Sequence, residues 1–285
     1  MNEYTHPDIA AELAAIGAQS HYVEVDGIRT HYIEVGTGPL LVLVHGGGAG
    51  ADSWGNWKSC LPAYAKNFRV IAPDMPGFGR TGKPDPSQYD YSQESRNRHL
   101  IALLEKLGAG PVNIIGNSMG GATALGIAIE RPDLINKMVL MGSAGLAIAN
   151  PDPSYMQAFS SYDYTREAMR VLMKALAGPR YVIDEELLNY RHELMQDPAA
   201  QKAIDVIRRS KITYFKDVIS SIKLPTLVVG GKEDQVAILA RTYGYLELIE
   251  NSWGFVLPHV GHWAMMEAPK EFVSITTAFF SKDLF

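Results

Sequence analysis

Cysteine is nearly absent: Cys60 is the only one in 285 residues, so no disulfide can close within the chain and a reducing compartment is expected. Long apolar runs are missing too. No stretch of about 18 apolar residues marks a membrane span, and Met1 to Ser20 has neither the basic head nor the sustained apolar segment of a secretory leader. A cytoplasmic protein with no membrane association is the expectation. Basic residues are outnumbered, 26 Lys and Arg against 31 Asp and Glu for a net charge of -5, and no Lys/Arg run forms a stripe that could follow a phosphate backbone. Nucleic acid is therefore not expected as a partner. The glycine run at 46–50 fits neither GxGxxG nor a P-loop with its Lys-Ser/Thr, which weakens a phosphate-cradle reading of that loop. No internal repeat or low-complexity segment is evident. What the chain does have is 47% hydrophobic residues, enough for one large core or a core with an inserted cap.

The most informative turn is Gly116-Asn117-Ser118-Met119-Gly120, set between the apolar run Val112 to Ile115 and the small, helix-compatible stretch Gly121 to Ile129. A GxSxG between a strand and a helix reads as a nucleophile elbow, so tight that the flanking positions must be glycine. Such a serine needs a base and an acid. His262, in the loop Pro258 to Trp263, and Asp234, after the buried strand pattern Thr226 to Gly231, complete the chain order Ser118, Asp234, His262 of a hydrolase triad. His259 and Glu233 compete for the two roles, His259 lying close to its strand and Glu233 within its turn. His45-Gly46-Gly47-Gly48 follows the strand pattern Leu40 to Val44 and is of the HGGG type, so the backbone N–H groups of Gly47 and Met119 are the expected oxyanion donors. His45 and Asp74 read as loop organisers.

Strand patterns occupy His21 to Val25, Arg29 to Val35, Leu40 to Val44, Arg69 to Ala72, Val112 to Ile115, Lys137 to Met141, Thr226 to Val229 and Trp253 to Leu257. Several are apolar on both faces, as buried parallel strands are. The first two flank Asp26-Gly27, a hairpin signal. Helical spacing fills Tyr91 to Leu107, Ser118 to Arg131 and Pro269 to Phe280. The alternation predicts an α/β chain, a mostly parallel doubly wound sheet of the α/β-hydrolase kind. It breaks from 143 to 223, where Thr165 to Leu176, Asp184 to Met195 and Pro198 to Lys211 read as helices. This segment is expected to be a helical cap over a core of 1–142 and 224–285, with Met156, Phe159, Met169 and Met173 giving it an adaptable apolar underside.

Taken together, His45 to Gly50 with Trp54-Gly55-Asn56-Trp57, Gly116 to Thr123, Val139 to Gly145 and Gly261-His262-Trp263-Ala264 resemble the meta-cleavage product hydrolases, above all those of carbazole, dibenzofuran and biphenyl degradation. The likeness runs from about Tyr22 to Phe280. It implies hydrolysis of a carbon–carbon bond in a 2-hydroxy-6-oxo-6-arylhexa-2,4-dienoate, an aromatic ring-fission product, by attack of Ser118 on the C6 carbonyl. It further implies a polar subsite of Asn56, Asn117, Arg191 and Trp263, no metal or organic cofactor, and a homodimer or higher homo-oligomer. A guanidinium binds a carboxylate bidentately, which makes Arg191 a sensible anchor; Arg180, Arg208 and Arg209 are its rivals. Trp54, Trp57, Met265 or Met266 is expected to face the cap across the acyl pocket. Gln235-Val236-Ala237 departs from the Val-Pro usual in the family. A small 6-substituent of the hydroxymuconic semialdehyde type, a carboxylesterase and a slow ligand receptor on the same fold stay open.

Overall fold

The computed structural model describes residues 4–152, 154–210, 214 and 216–281. Among these described residues eight strands form one sheet: β1 (Gln19–Val25), β2 (Ile28–Val35), β3 (Leu40–Val44), β4 (Arg69–Pro73), β5 (Val112–Asn117), β6 (Ile135–Met141), β7 (Thr226–Gly231) and β8 (Ser252–Leu257). The order is β1-β2-β4-β3-β5-β6-β7-β8, antiparallel where β2 meets β1 and β4 and parallel from β4 to β8. This is the expected doubly wound sheet, with every strand pattern found at its place and shifted by no more than two residues at an end.

The central strands explain themselves. Every residue of β5 and β7 is buried, because helices cover both faces and leave no face for polar alternation. The helix Met119–Glu130, all but its last two residues buried, crosses behind β5, and Gln93–Lys106 packs against it. The helix Pro269–Phe280 lies where its pattern places it. Between β6 and β7 come the helices Tyr155–Ser160, Arg166–Leu176, Glu185–Leu194, Pro198–Ile207 and Lys216–Ser220. The third of the read helices ends at Ile207, followed by a turn, and Lys211 lies outside the described residues. Helices at Ala10–Ala15, Ser53–Trp57, Leu61–Tyr64 and Leu239–Leu248 had no reading from the sequence. The first three are short, and short elements carry too few periods to register.

The elbow shows why its glycines are needed. Ser118 has φ 52° and ψ -114°, an uncommon backbone state that the surroundings must hold. A Cβ on Gly116 would stand 2.3 Å from the Gly120 carbonyl oxygen, and one on Gly120 would stand 2.3 Å from the Val44 carbonyl oxygen of β3. Both obstacles are backbone and cannot swing aside. Gly120→Ala is therefore expected to cost about 3 kcal/mol or more, lowering Tm by several degrees. A melting curve within 2 °C or so of the parent would contradict the packing argument.

Candidate active site

Ser118 sits at the turn from β5 into the helix Met119–Glu130, its N–H bonded to Met141 O (3.0 Å) and its carbonyl accepting from Ala122 and Ala144. These bonds fix the backbone and leave the hydroxyl facing a cavity of about 250 Å³ that His262 also lines. His262 is buried, and its Nδ1 is 2.8 Å from Asp234 Oδ2. Burial alone would push the Asp234 carboxyl up, but His262 and the N–H groups of Ala237 and Val236 hold it below the ordinary range. Those two N–H groups donate to Oδ1 at 2.8 Å each. The departure from Val-Pro thus has a structural consequence, since proline at 237 would remove a donor. The rivals stand apart: His259 and Glu233 are both exposed and outside the cavity.

Gly46, Gly47 and Gly48 border the cavity with Met119. A Cβ on Gly47 would lie 2.8 Å from Met119 Sδ and 3.1 Å from Met119 Cβ, so the two expected oxyanion donors are neighbours. His45 organises this loop as read, its Nδ1 2.7 Å from Gly46 O and its Nε2 accepting from Met75 N at 3.0 Å. Asp74 likewise accepts from Ser53 N, Arg80 N and His31 Nδ1 and does not reach the cavity.

The four residues of the expected polar subsite meet in one wall of the cavity. Asn56 Nδ2 donates to Asn117 Oδ1 (3.3 Å), and Asn117 Nδ2 reaches Met141 O (3.2 Å). The Arg191 guanidinium lies 5.2 Å from the Trp263 ring centroid and donates through Nη2 to Ala49 O at 2.7 Å. Its Nε and Nη1, and Asn56 Oδ1, are buried with no protein partner. Among the described residues no carboxylate pairs with Arg191, and burial pulls it down to about 10. Of its rivals, Arg180 and Arg209 are exposed, and Arg208 lines the outer cavity paired with Asp205 (2.7 Å).

The rest of the lining corrects part of the sequence reading. Met156 and Phe159 line the cavity as expected, together with Tyr155, Leu176, Ile207, Arg208, Ser210 and Val236. Met169 and Met173, fully buried, pack inside the helical segment instead. Trp54, Trp57, Met265 and Met266 do not reach the cavity either; Trp57 stacks on Phe272. Periodicity identifies a buried face, not the neighbour that buries it.

Glu267 was not singled out from the sequence. Its Oε2 accepts from Gly178 N and Gly261 N at 2.9 Å each and its Oε1 from Trp263 N at 3.0 Å. With His262 N donating to Leu176 O (2.8 Å), the histidine loop is tied to the end of the helix Arg166–Leu176. Asp52 was missed as well. It caps the helix Ser53–Trp57 through Gly55 N, and burial and the neighbouring Asp74 push it up to about 6 against the pull of Arg80, Tyr190 and Gly55.

Sheet order, elbow, buried Asp–His pair and glycine loop define an α/β-hydrolase, and the sequence profile described as alpha/beta hydrolase fold matches residues 39–269. A 2-hydroxy-6-oxo-6-(2'-aminophenyl)hexa-2,4-dienoic acid hydrolase of Metapseudomonas resinovorans is 42% identical over 282 residues, 95% of this chain and 96% of the relative. A crystal structure of a serine hydrolase involved in carbazole degradation, the CarC enzyme, superposes with a TM-score of 0.84 at 41% identity, covering 92% of this chain and 98% of the other. A meta-cleavage product hydrolase of Pseudomonas fluorescens IP01, CumD, gives 0.85 at 31% identity over 91% and 97%. The chain belongs to the meta-cleavage product hydrolases, the carbon–carbon bond hydrolases of this fold.

Proposed function

We propose that this protein hydrolyses the C5–C6 bond of a 2-hydroxy-6-oxo-6-arylhexa-2,4-dienoate, giving an aromatic acid and 2-hydroxypenta-2,4-dienoate. The observation that carries the reading is Arg191: a buried guanidinium with two unpartnered donors and, among the described residues, no ion-pair partner, on the wall of the cavity that Ser118 and His262 share. An unpaired buried cation is costly unless a ligand completes it. A planar carboxylate at the dienoate end fits that requirement, and Asn56, Asn117 and Trp263 surround the 2-oxo oxygen next to it.

The chemistry follows from the geometry. A dienol cannot leave as a carbanion, so the substrate is first converted to its 2,6-dioxo tautomer, in which the 2-oxo group can accept the electron pair of the breaking bond. Ser118 Oγ attacks C6 while His262 takes its proton, Asp234 orients the imidazole, and the N–H groups of Gly47 and Met119 hold the oxyanion. Collapse breaks C5–C6; the electron pair passes into the dienolate, which takes a proton, and an aroyl group stays on Ser118. Water, activated by His262, then releases the acid. The segment 143–223 acts as the cap in this reading, since Met156, Phe159, Leu176, Arg191 and Ile207 supply much of the cavity wall. A cytoplasmic homodimer or larger homo-oligomer completes the proposal.

Among the described residues no helix is long and apolar enough to cross a membrane, and no group of His, Cys, Asp and Glu is arranged to hold a metal. In this reading the acyl group lies against Met156, Phe159, Ile207 and Val236 of the cavity lining, an enclosure for a ring that would leave a void beside a methyl group. At roughly 25 cal/mol per Å² of extra apolar burial, the ring adds one to a few kcal/mol. The 6-phenyl dienoate is expected to exceed the 6-methyl compound about ten- to a hundredfold in kcat/KM. Preference for methyl would instead place the enzyme with the hydroxymuconic semialdehyde type.

A further inference from the structure

Among the buried carboxylates that the mechanism leaves unused, Asp52 stands out. Asp52 is fully shielded from solvent. Its Oδ1 accepts from Gly55 N at 2.7 Å, capping the helix that carries Asn56. Its Oδ2 accepts from the Tyr190 hydroxyl and from Arg80 Nη1 (3.4 Å), and Arg80 also donates to the Tyr190 oxygen at 3.0 Å. Tyr190 immediately precedes Arg191 on the helix Glu185–Leu194, and the backbone there presses so closely on the glycine loop that a Cβ on Gly50 would lie 2.3 Å from Arg191 O. One carboxylate therefore joins the two arms of the polar subsite, Asn56 from the core and Arg191 from the inserted segment. Asp74 also braces the Asn56 helix, through Ser53 N, but its remaining partners, Arg80 N, His31 Nδ1 and the neighbouring loop, belong to the core alone. Capping does not explain the arrangement, because a serine or asparagine caps as well and has no need of a buried tyrosine and arginine on the other oxygen.

We propose that Asp52 is the positioning residue that sets Arg191 against Asn56, with Tyr190 as its contact on the cap side, and so governs recognition of the carboxylate end of the substrate without touching it. This rests on Arg191 being the dienoate anchor. Among the described residues the guanidinium has a single protein hydrogen bond, to Ala49 O, so the direction of its two free donors depends on where the backbone at 190 and 191 is held. A misplacement of about 1 Å is enough to cost a large factor in rate.

The test compares Asp52→Asn and Tyr190→Phe, each alone and added to Arg191→Ala, on the 6-phenyl dienoate and on a simple phenyl ester that has no carboxylate end. Both variants are expected to lower kcat/KM for the dienoate on the order of tenfold, mainly through KM, with at most about a threefold loss on the ester. Added to Arg191→Ala they should cost nothing further, because they act through that residue. Equal losses on both substrates for Tyr190→Phe, or losses that add to that of Arg191→Ala, would make the contact merely structural and overturn the proposal. An Arg191→Ala variant equally impaired on both substrates would overturn the anchor reading and this proposal with it; a selective Arg191→Ala beside an unselective Tyr190→Phe would overturn this proposal alone.

Discussion

Replacing Ser118 or His262 with alanine is expected to lower carbon–carbon bond hydrolysis by about four orders of magnitude or more, with the fold intact. The size of the loss follows from the way the parts depend on each other. Ser118 is held by backbone bonds to Met141, Ala122 and Ala144, so its hydroxyl is placed but not activated until a base takes the proton. In the proposed mechanism His262 is that base, and its imidazole is fixed by the 2.8 Å contact to Asp234. Removing either member leaves only the oxyanion donors and substrate binding, and the double variant should be little worse than the single ones. Steady-state rates, with circular dichroism as the control for folding, check this. Near-normal turnover by a folded Ser118→Ala protein would sink the nucleophile assignment.

Arg191→Ala should damage dienoate cleavage far more than ester hydrolysis, by two to three orders of magnitude on the dienoate and about tenfold or less on a phenyl ester. Truncating one partner of a buried charge pair costs roughly 2–5 kcal/mol, and in the complex the substrate carboxylate would be the buried charge left alone. An ester lacking that carboxylate never makes the contact. The free enzyme pulls the other way, since removing a buried guanidinium whose burial is only partly offset by the Asp52 charge relieves a desolvation cost. Arg191→Ala is thus expected to melt no lower than the parent while losing its substrate. Ratios of kcat/KM on the two substrates, with Tm alongside, decide it. Equal losses would show that Arg191 is not the anchor.

How far the site could be read from the chain depended on whether its chemistry was local. The elbow was legible because Gly116 and Gly120 are required by backbone contacts that any tight strand-to-helix turn creates. Asp234 and His262 were legible because each follows an apolar strand pattern and their chain order is characteristic of the fold. The sheet was legible for the same reason, its central strands being apolar on both faces. Glu267 and Asp52 were not. Each works by joining segments distant in sequence, Gly178 to Gly261 in one case and Gly55 to Tyr190 in the other, and no spacing rule announces such a contact. The cavity wall was half legible. Met156, Phe159, Met169 and Met173 were all expected on the underside of the segment 143–223; Met156 and Phe159 line the cavity, whereas Met169 and Met173 are buried away from it.

The most direct test of the central claim is product analysis with the 6-phenyl dienoate. The account predicts benzoic acid and 2-hydroxypenta-2,4-dienoate in equal amounts, one oxygen of the acid coming from water, and no product above background from Ser118→Ala. A dienoate that survives intact while simple esters are turned over at the rate of an ordinary serine esterase would contradict it.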